Sequence, residues 1–431
     1  MGTLGYADAL REMGRDIADA CVKCGKCFEA CPMTGPGGLD GEDPAAVMGG
    51  IVELLRGNDG SEAARRWTEV CTHSGTCIPA CDYGINPRLM MSIAGIAAQS
   101  SIDERSRREA GLTAFNAMAR NNRVVMRLQL SPDQLTRISP APGALRQDGR
   151  RPDLLFYTGC NVLRTPHIAL LCLDVLDALE VSYAVMGGPS HCCGVHQFEA
   201  GDADSSGRFA FATVDKLAGA GAQTVVSWCP NCQIQIGEIA LPAYARSRGE
   251  APISIAPFVE YLASRIDDLR PHLNHRVEKR VALNERPTFP AVNAGVRTLL
   301  TAIPGIELIE IDVPRVGAMS NSLTVLPEFK EQLRQREFAA AAAAGVTTLA
   351  TVYHACHREI CQFENEVTFE IVNFMELIGE SMGIREEDLY KRLKIAHDVE
   401  FIIAETDANI RANNLDVDAV RAALVREFWS A

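Results

Sequence analysis

The sequence predicts an α+β protein: an all-α amino-terminal module bearing seven cysteines, then two α/β units, the second degenerate. Three observations carry this prediction. Residues 1–130 space their apolar positions as helices do, interrupted by two cysteine-rich loops. From residue 153 short apolar strands alternate with helices, the pattern of parallel sheets. A weak internal repeat then relates the stretch ending at Cys232 to the one ending at Cys356, at an offset of 124 residues.

Composition sets the bounds. A chain of 431 residues has room for about two or three domains. It is 47% apolar, and its net charge of −13 argues against a nucleic-acid partner. There is no apolar run of about 18 residues, so no membrane span is expected. The opening MGTLGYADAL lacks the basic and apolar regions of a signal peptide, and Tyr6 misses the myristoylation pattern. A cytoplasmic location is expected, peripheral to a membrane only through a partner. In that compartment fifteen cysteines would be a liability unless most bound metal. Twelve fall into three groups; Cys172 reads as a small core residue, and Cys356 and Cys361 stand apart.

Residues 4–20 read as a helix leading into Cys21, Cys24, Cys27 and Cys31-Pro32, the C-x2-C-x2-C-x3-C-P run of bacterial ferredoxins. Three thiolates on one tight loop can grip three irons of a cubane, and the fourth reaches a neighbouring cluster. Two helical stretches broken near residues 57–60 then lead to Cys71, Cys77 and Cys81. This second run reads C-x2-S-x2-C-x3-C, with Ser74 in a cysteine's place. Exchange of the outer ligands assigns Cys21, Cys24, Cys27 and Cys81 to a [4Fe-4S] cluster. Cys31, Cys71 and Cys77 hold the other, with Ser74 at the open corner.

A serine hydroxyl is a far weaker acid than a thiol and a poor iron ligand. The second site is therefore expected to be [3Fe-4S], or else an open-corner or serine-ligated [4Fe-4S]. CTHSGTCIPACDYGINP resembles the three-iron motif of succinate dehydrogenase iron–sulfur subunits. Asp82 departs from that motif, which has proline after the last cysteine. Helical patterns at RLMMSIAGIAAQ and ERSRREAGLTAFNAMARNN complete a module similar to the heterodisulfide reductase C subunit.

Residues 131–152, rich in Pro, Gly and Arg, read as a linker with solvated arginines. LLFYTG, VSYAVM and TVVSW then read as strands, with HIALLCLDVLDAL and FAFATVDKLAGAG as helices between them. Cys160, Cys192, Cys193, Cys229 and Cys232 fall at or after the strand ends, where α/β proteins place their ligand sites. Four ligands suffice for a cubane or a zinc ion. Five, two of them adjacent, suit a larger open assembly with a bridging thiolate, and Gly194 permits the turn needed. The pattern resembles the cysteine-rich CCG domain of the heterodisulfide reductase B subunit family, which implies a non-cubane [4Fe-4S] cluster over residues 153–270.

Residues 271–390 form the second copy. The offset places Cys160 on Asn284, Cys192 on Val316, Cys193 on Gly317 and Cys229 on Tyr353, so four of five ligands are gone. His354, Cys356, His357 and Cys361 have zinc-capable side chains within eight residues and form a candidate metal site. Amphipathic helices in the tail, residues 391–431, are expected to pack or to dock a partner.

The resemblance implies an electron-transfer iron–sulfur subunit of a hetero-oligomeric oxidoreductase. It would have a flavoprotein donor or acceptor, and the higher potential expected of a three-iron site suits a quinone or membrane-associated acceptor at the other end. No G-x-G-x-x-G follows a predicted strand, so no flavin of its own is expected. The alternatives are a disulfide reductase acting at the non-cubane cluster, or a subunit of a 2-hydroxy-acid or methylated-amine oxidising system.

Overall fold

The computed structural model describes residues 4–139 and 151–429. Its amino-terminal part is helical: α1 (Tyr6–Ala20), α2 (Lys26–Glu29), α3 (Pro44–Leu55), α4 (Glu62–Val70), α5 (Pro87–Ala98), α6 (Glu104–Gln129) and α7 (Pro132–Ile138). Side chains cap the starts of α3 to α6. Asp43 accepts from Ala46 N, Ser61 from Ala64 N, Asn86 from Arg88 N, and Asp103 from Ser106 N. Each cap satisfies a backbone N–H that no helical carbonyl can reach. Between α3 and α4 the chain turns at Gly57 and Gly60, both left-handed. Leu10, Ile51, Trp67 and Met90, one from each of four helices, meet in the core.

The segment expected to be a linker begins as a helix. Ser131 and Gln134 form a capping box at the start of α7, and Ile138 is buried. Arg137 pairs with Asp174 and Asp177, both at 2.6 Å, and so is not the solvated charge expected there. Residues 140–150 of that segment lie outside the described residues.

The next stretch runs β1 (Leu154–Gly159), α8 (Pro166–Ala178), β2 (Tyr183–Gly187), α9 (Val195–Glu199), α10 (Ala203–Gly219), β3 (Thr224–Ser227), α11 (Pro230–Cys232), α12 (Leu241–Arg248) and β4 (Ala256–Pro257). Its strands form a parallel sheet in the order β2-β1-β3-β4. Every residue of β1 is buried, as expected when helices cover both faces. Cys172 is fully buried on α8. Helices α13 (Phe258–Ser264) and α14 (Ile266–Leu269) lead to β5 (Lys279–Asn284), α15 (Pro290–Thr301), β6 (Ile306–Leu308), α16 (Pro327–Ala343), β7 (Thr348–Thr351), α17 (His354–Ile360) and β8 (Glu370–Asn373). These strands make a second parallel sheet, ordered β6-β5-β7-β8. The chain is thus α+β, with helices and two four-stranded parallel sheets.

The ladders correct one residue alignment. Thr224 and Thr348 lie 124 residues apart, matching the sequence offset, but their partners Leu154 and Val281 lie 127 apart. The first strand of the second sheet has slipped by three. Asn284 therefore stands level with Tyr157 rather than Cys160, and Arg286 takes the place beside the strand end that Gly159 holds in the first sheet.

Helices α18 (Phe374–Met382), α19 (Leu389–Ala396), α20 (Val399–Glu405), α21 (Asp407–Ala412) and α22 (Val417–Leu424) complete the chain. The tail packs on α6: Leu393, Ile402, Ile410, Val420 and Leu424 share a core with Val125 and Leu128. Asn409 and Asn413 donate side-chain hydrogen bonds to the terminal carbonyls of Arg127, Leu128 and Leu130. They satisfy acceptors that a helix end leaves open. Among the described residues, no helix is long and apolar enough to cross a membrane.

Arg88 on α5 joins the helical part to both sheets. Its side chain, 3% exposed, forms an ion pair with Glu238 and donates to the carbonyl of Thr288 at 3.0 Å. Removing one member of a buried pair strands the other. Arg88→Met should therefore cost about 3 kcal/mol in chemical denaturation, and Arg88→Met with Glu238→Met should recover part of it. Equal losses in the single and double variants would show that the ion pair is not the junction.

Candidate iron–sulfur centres

Two loops of the helical part share one backbone course. Cys21 and Cys71 each follow a helix in extended conformation. Lys23 and His73 are then left-handed at φ 59° and 52°, as are Gly25 and Gly75 at 81° and 79°. Between them lies Cys24 in one loop and Ser74 in the other. Ser74 thus stands where its twin carries a thiol. It is buried, and its hydroxyl shares a hydrogen bond with Thr76 at 3.1 Å.

The seven thiols lie close together, and Cys77 acts on Cys27 across the two expected sets. Cys21, Cys24, Cys27 and Cys81 line one small cavity, closed by Met48, Ile85 and Met90. Cys31 lies within electrostatic reach of both Cys71 and Cys77. Burial, reinforced by neighbouring thiols, pushes Cys27, Cys71 and Cys77 up to about 12. A bound metal would replace those protons and remove the penalty. Two groups near the second set were not legible as functional. Trp67 Nε1–H donates to Cys31 Sγ at 3.3 Å, and buried Arg88 places a positive charge near Cys71 and Cys77.

At the carboxyl edge of the first sheet the other five cysteines meet. Thiol–thiol contacts link Cys160 to Cys192, Cys192 to Cys193, Cys193 to Cys232, and Cys232 to Cys229. All five are buried. Contacts from Cys160 and Cys193 bring Cys192 down to about 3, whereas Cys160 and Cys193 are driven up. Cys229 is held down by Cys232 and by His354, which reaches across from α17. Such a chain of unlike acidities is what several thiols do when one pocket leaves too little room for their protons. Five convergent sulfurs with no disulfide suit a polynuclear iron site.

Glycines make the convergence possible. Gly194 is left-handed at φ 83°, and its N–H points at Cys192 Sγ from 3.4 Å. A Cβ on Gly159 would sit 2.8 Å from Cys232 Sγ.

The matching edge of the second sheet holds no such set. Arg286, fully buried, donates to the carbonyl of Val316 at 3.0 Å and to Ser320 at 2.8 Å, and it contacts the Cys356 thiol. Asn284 donates to Glu337 at 2.6 Å. A guanidinium fills the space that thiols fill in the first sheet.

The candidate quartet His354, Cys356, His357 and Cys361 does not converge. Successive residues of a helix point about 100° apart, so α17 sends its side chains to different neighbours. His354 faces Cys229, Cys356 faces Arg286, and His357 bonds Asp388 at 2.6 Å. Cys361 lies in the core beneath the tail helices.

A cleft of about 780 Å³ opens between the Ser74 loop and the first sheet, lined by Cys71, Thr72, His73, Phe198, Glu199 and Gln235. Desolvation, helped by Arg88, takes His73 down to about 4.

Comparison with known proteins agrees with this arrangement. Residues 13–82 match the 4Fe-4S dicluster domain, and residues 154–237 match the cysteine-rich CCG domain. The chain thus joins a dicluster iron–sulfur domain to a CCG domain. It is similar to the D subunit of the dihydromethanophenazine:CoB–CoM heterodisulfide reductase of Methanosarcina barkeri. The two are 22% identical over 399 residues, 85% of this chain and 94% of that protein.

Gly159→Ala tests the crowded third site. The added methyl collides with Cys232 Sγ in a left-handed residue that disfavours it further. Anaerobically purified protein should lose about four irons while keeping the visible and EPR signals of the amino-terminal part. Full iron retention would show that the five sulfurs do not need this close approach.

Proposed function

We propose that this chain is the electron-transferring iron–sulfur subunit of an oxidoreductase complex. Cys21, Cys24, Cys27 and Cys81 hold a [4Fe-4S] cluster. Cys31, Cys71 and Cys77 hold a [3Fe-4S] cluster with Ser74 at its open corner. Cys160, Cys192, Cys193, Cys229 and Cys232 hold a non-cubane [4Fe-4S] cluster. The observation that carries the reading is the gathering of seven thiols on the helical loops and of five buried ones at the edge of the first sheet, around one apolar core. When bound, such clusters supply one-electron transfer between fixed points. The residues around them exclude water, hold the thiols in register and bring positive charge to the second group through Arg88.

We read residues 1–130 as the two-cluster module and 153–270 as the unit that binds the third cluster. Residues 271–390 form its degenerate duplicate, and 391–431 a helical support. Identical strand order in the two sheets supports duplication, and Arg286 accounts for the loss of the second set. A flavoprotein supplying electron pairs is the partner that a chain of one-electron sites serves. The relative's name makes disulfide reduction at the five-cysteine site the second reading. In the family that the CCG unit resembles, that reaction resembles homolysis between two non-cubane clusters, and the guanidinium of Arg286 leaves this chain room for one, which weakens the second reading. Anaerobic mixing separates the two readings: reduction by a flavin donor supports relay, and thiol release from a disulfide substrate supports catalysis.

Fully reconstituted protein should contain about eleven irons per chain, four, three and four by cluster type. A content of about eight or fewer by metal analysis would mean that one site is not a cluster.

Ser74→Cys should restore a fourth thiolate and convert the second site to [4Fe-4S]. The isotropic EPR signal of an oxidised three-iron cluster, expected in the wild type, should vanish. The site's potential should fall, because another thiolate adds negative charge that opposes the incoming electron. An oxidised wild type without EPR signal, unchanged by the substitution, would mean that the corner is natively filled.

A further inference from the structure

Away from all three thiol groups, four side chains from distant parts of the chain meet where the two sheets and the tail helices join. His167 lies in the first turn of α8, His357 on α17, Glu376 in the first turn of α18, and Asp388 caps α19. One ligand atom from each lies within 4.8 Å of all the others. His357 Nε2 is 2.6 Å from Asp388 Oδ2, His167 Nδ1 is 3.5 Å from Asp388 Oδ1, and His167 Nε2 is 3.7 Å from Glu376 Oε1. The rings meet edge to face with centroids 5.6 Å apart.

A hydrogen-bonded network does not account for this group. The side chains of His167 and His357 are 1% and 0% exposed. Yet neither ring nitrogen of His167 has a hydrogen-bond partner, and Nδ1 of His357 has none. A buried polar atom without a partner is costly, and two adjacent imidazoles share the same want. The carboxylates are already oriented from behind. Asp388 Oδ1 accepts from Lys391 N at 3.0 Å, and Glu376 Oε1 accepts from Asn373 N at 2.6 Å. Such outer bonds are what fix metal-binding carboxylates. Lys391, the nearby ammonium, is engaged by Glu364 at 2.9 Å and by the carbonyl of Ile371 at 3.1 Å.

The geometry points to a structural zinc ion held by His167, His357, Glu376 and Asp388. Two imidazoles and two carboxylates form a closed set of ligand types suited to zinc. Tetrahedral ligands about 2.0–2.1 Å from zinc lie about 3.3 Å from one another, and one atom from each of the four side chains already lies within 4.8 Å of the rest, so small side-chain rotations close the set. A dipositive ion also cancels two partly buried carboxylate charges. Bound there, it ties α8 of the first sheet to α17 and α18 of the second and to the tail helices. The site is separate from the cysteine clusters and does not depend on the functional reading above.

The test is metal analysis of the full chain with its iron complement intact, after incubation with Zn2+ and removal of loose metal by a weak chelator. One zinc per chain is expected. Zinc-edge X-ray absorption should show nitrogen and oxygen neighbours with imidazole scattering, and no sulfur at about 2.3 Å. His167→Gln with Asp388→Asn should abolish zinc retention, leave iron content unchanged and lower the thermal midpoint. A wild type that retains no zinc, a sulfur shell around zinc, or an unchanged zinc content in the double variant would each overturn the assignment. The absorption measurement needs only wild-type protein, so it decides even if the variant fails to fold.

Discussion

Putting an ionisable thiol in an apolar interior is tolerable alone and troublesome in groups. A single buried cysteine such as Cys172 stays protonated and packs as a small hydrophobe. Twelve others are gathered near one another, and the five at the edge of the first sheet shift one another's acidity in both directions. The rest of the architecture follows from providing for those groups. Helix ends deliver Cys21 and Cys71, strand ends deliver Cys160 and Cys229, and left-handed glycines let loops close around them. The five-cysteine group is buried throughout, whereas the amino-terminal thiols sit at the margin of the core with Cys24 exposed.

What the sequence made legible was whatever lies within one loop. The spacing of Cys21, Cys24 and Cys27 encodes a turn, and the same turn recurs at Cys71 with Ser74 in the corresponding corner. Strand–helix alternation foretold parallel sheets for the same reason, since periodicity is a local property. Placements that depend on register or on distant contacts were not legible. A three-residue slip in β5 leaves the composition of the strand unchanged, yet it brings Arg286 rather than Asn284 to the strand end. Offset alone misplaced that residue. The helix at Pro132–Ile138 was hidden by flanking prolines and arginines that read as linker.

The four-residue group at 354–361 shows the opposite failure. Its ligand types were conspicuous in sequence because they are close together, and closeness is what prevents convergence on one helix. His357 does meet three metal-competent partners, but they sit at 167, 376 and 388, far apart in the chain. Each taken alone reads as an ordinary helix-start residue. His354 likewise belongs to the first sheet's thiol group although it comes from the second sheet. The degenerate unit is therefore not inert: it supplies one wall of the site that its counterpart kept.

The surroundings of the two amino-terminal groups differ in a way that bears on direction. Near the first, the conspicuous ion pair is the exposed one between Lys26 and Asp82, which water screens. Near the second, Arg88 is buried and Trp67 aims its N–H at Cys31. A buried cation and a hydrogen bond to sulfur both stabilise added negative charge, and low dielectric strengthens them. On the proposed assignment Ser74 leaves one fewer thiolate, so all three features would act in the same sense and favour reduction at the second group over the first. That group also borders the cleft, whose walls carry Arg65 and Glu69 beside His73. On the proposed cluster assignment, the site that is easier to reduce in the helical part is therefore the one that borders this cleft.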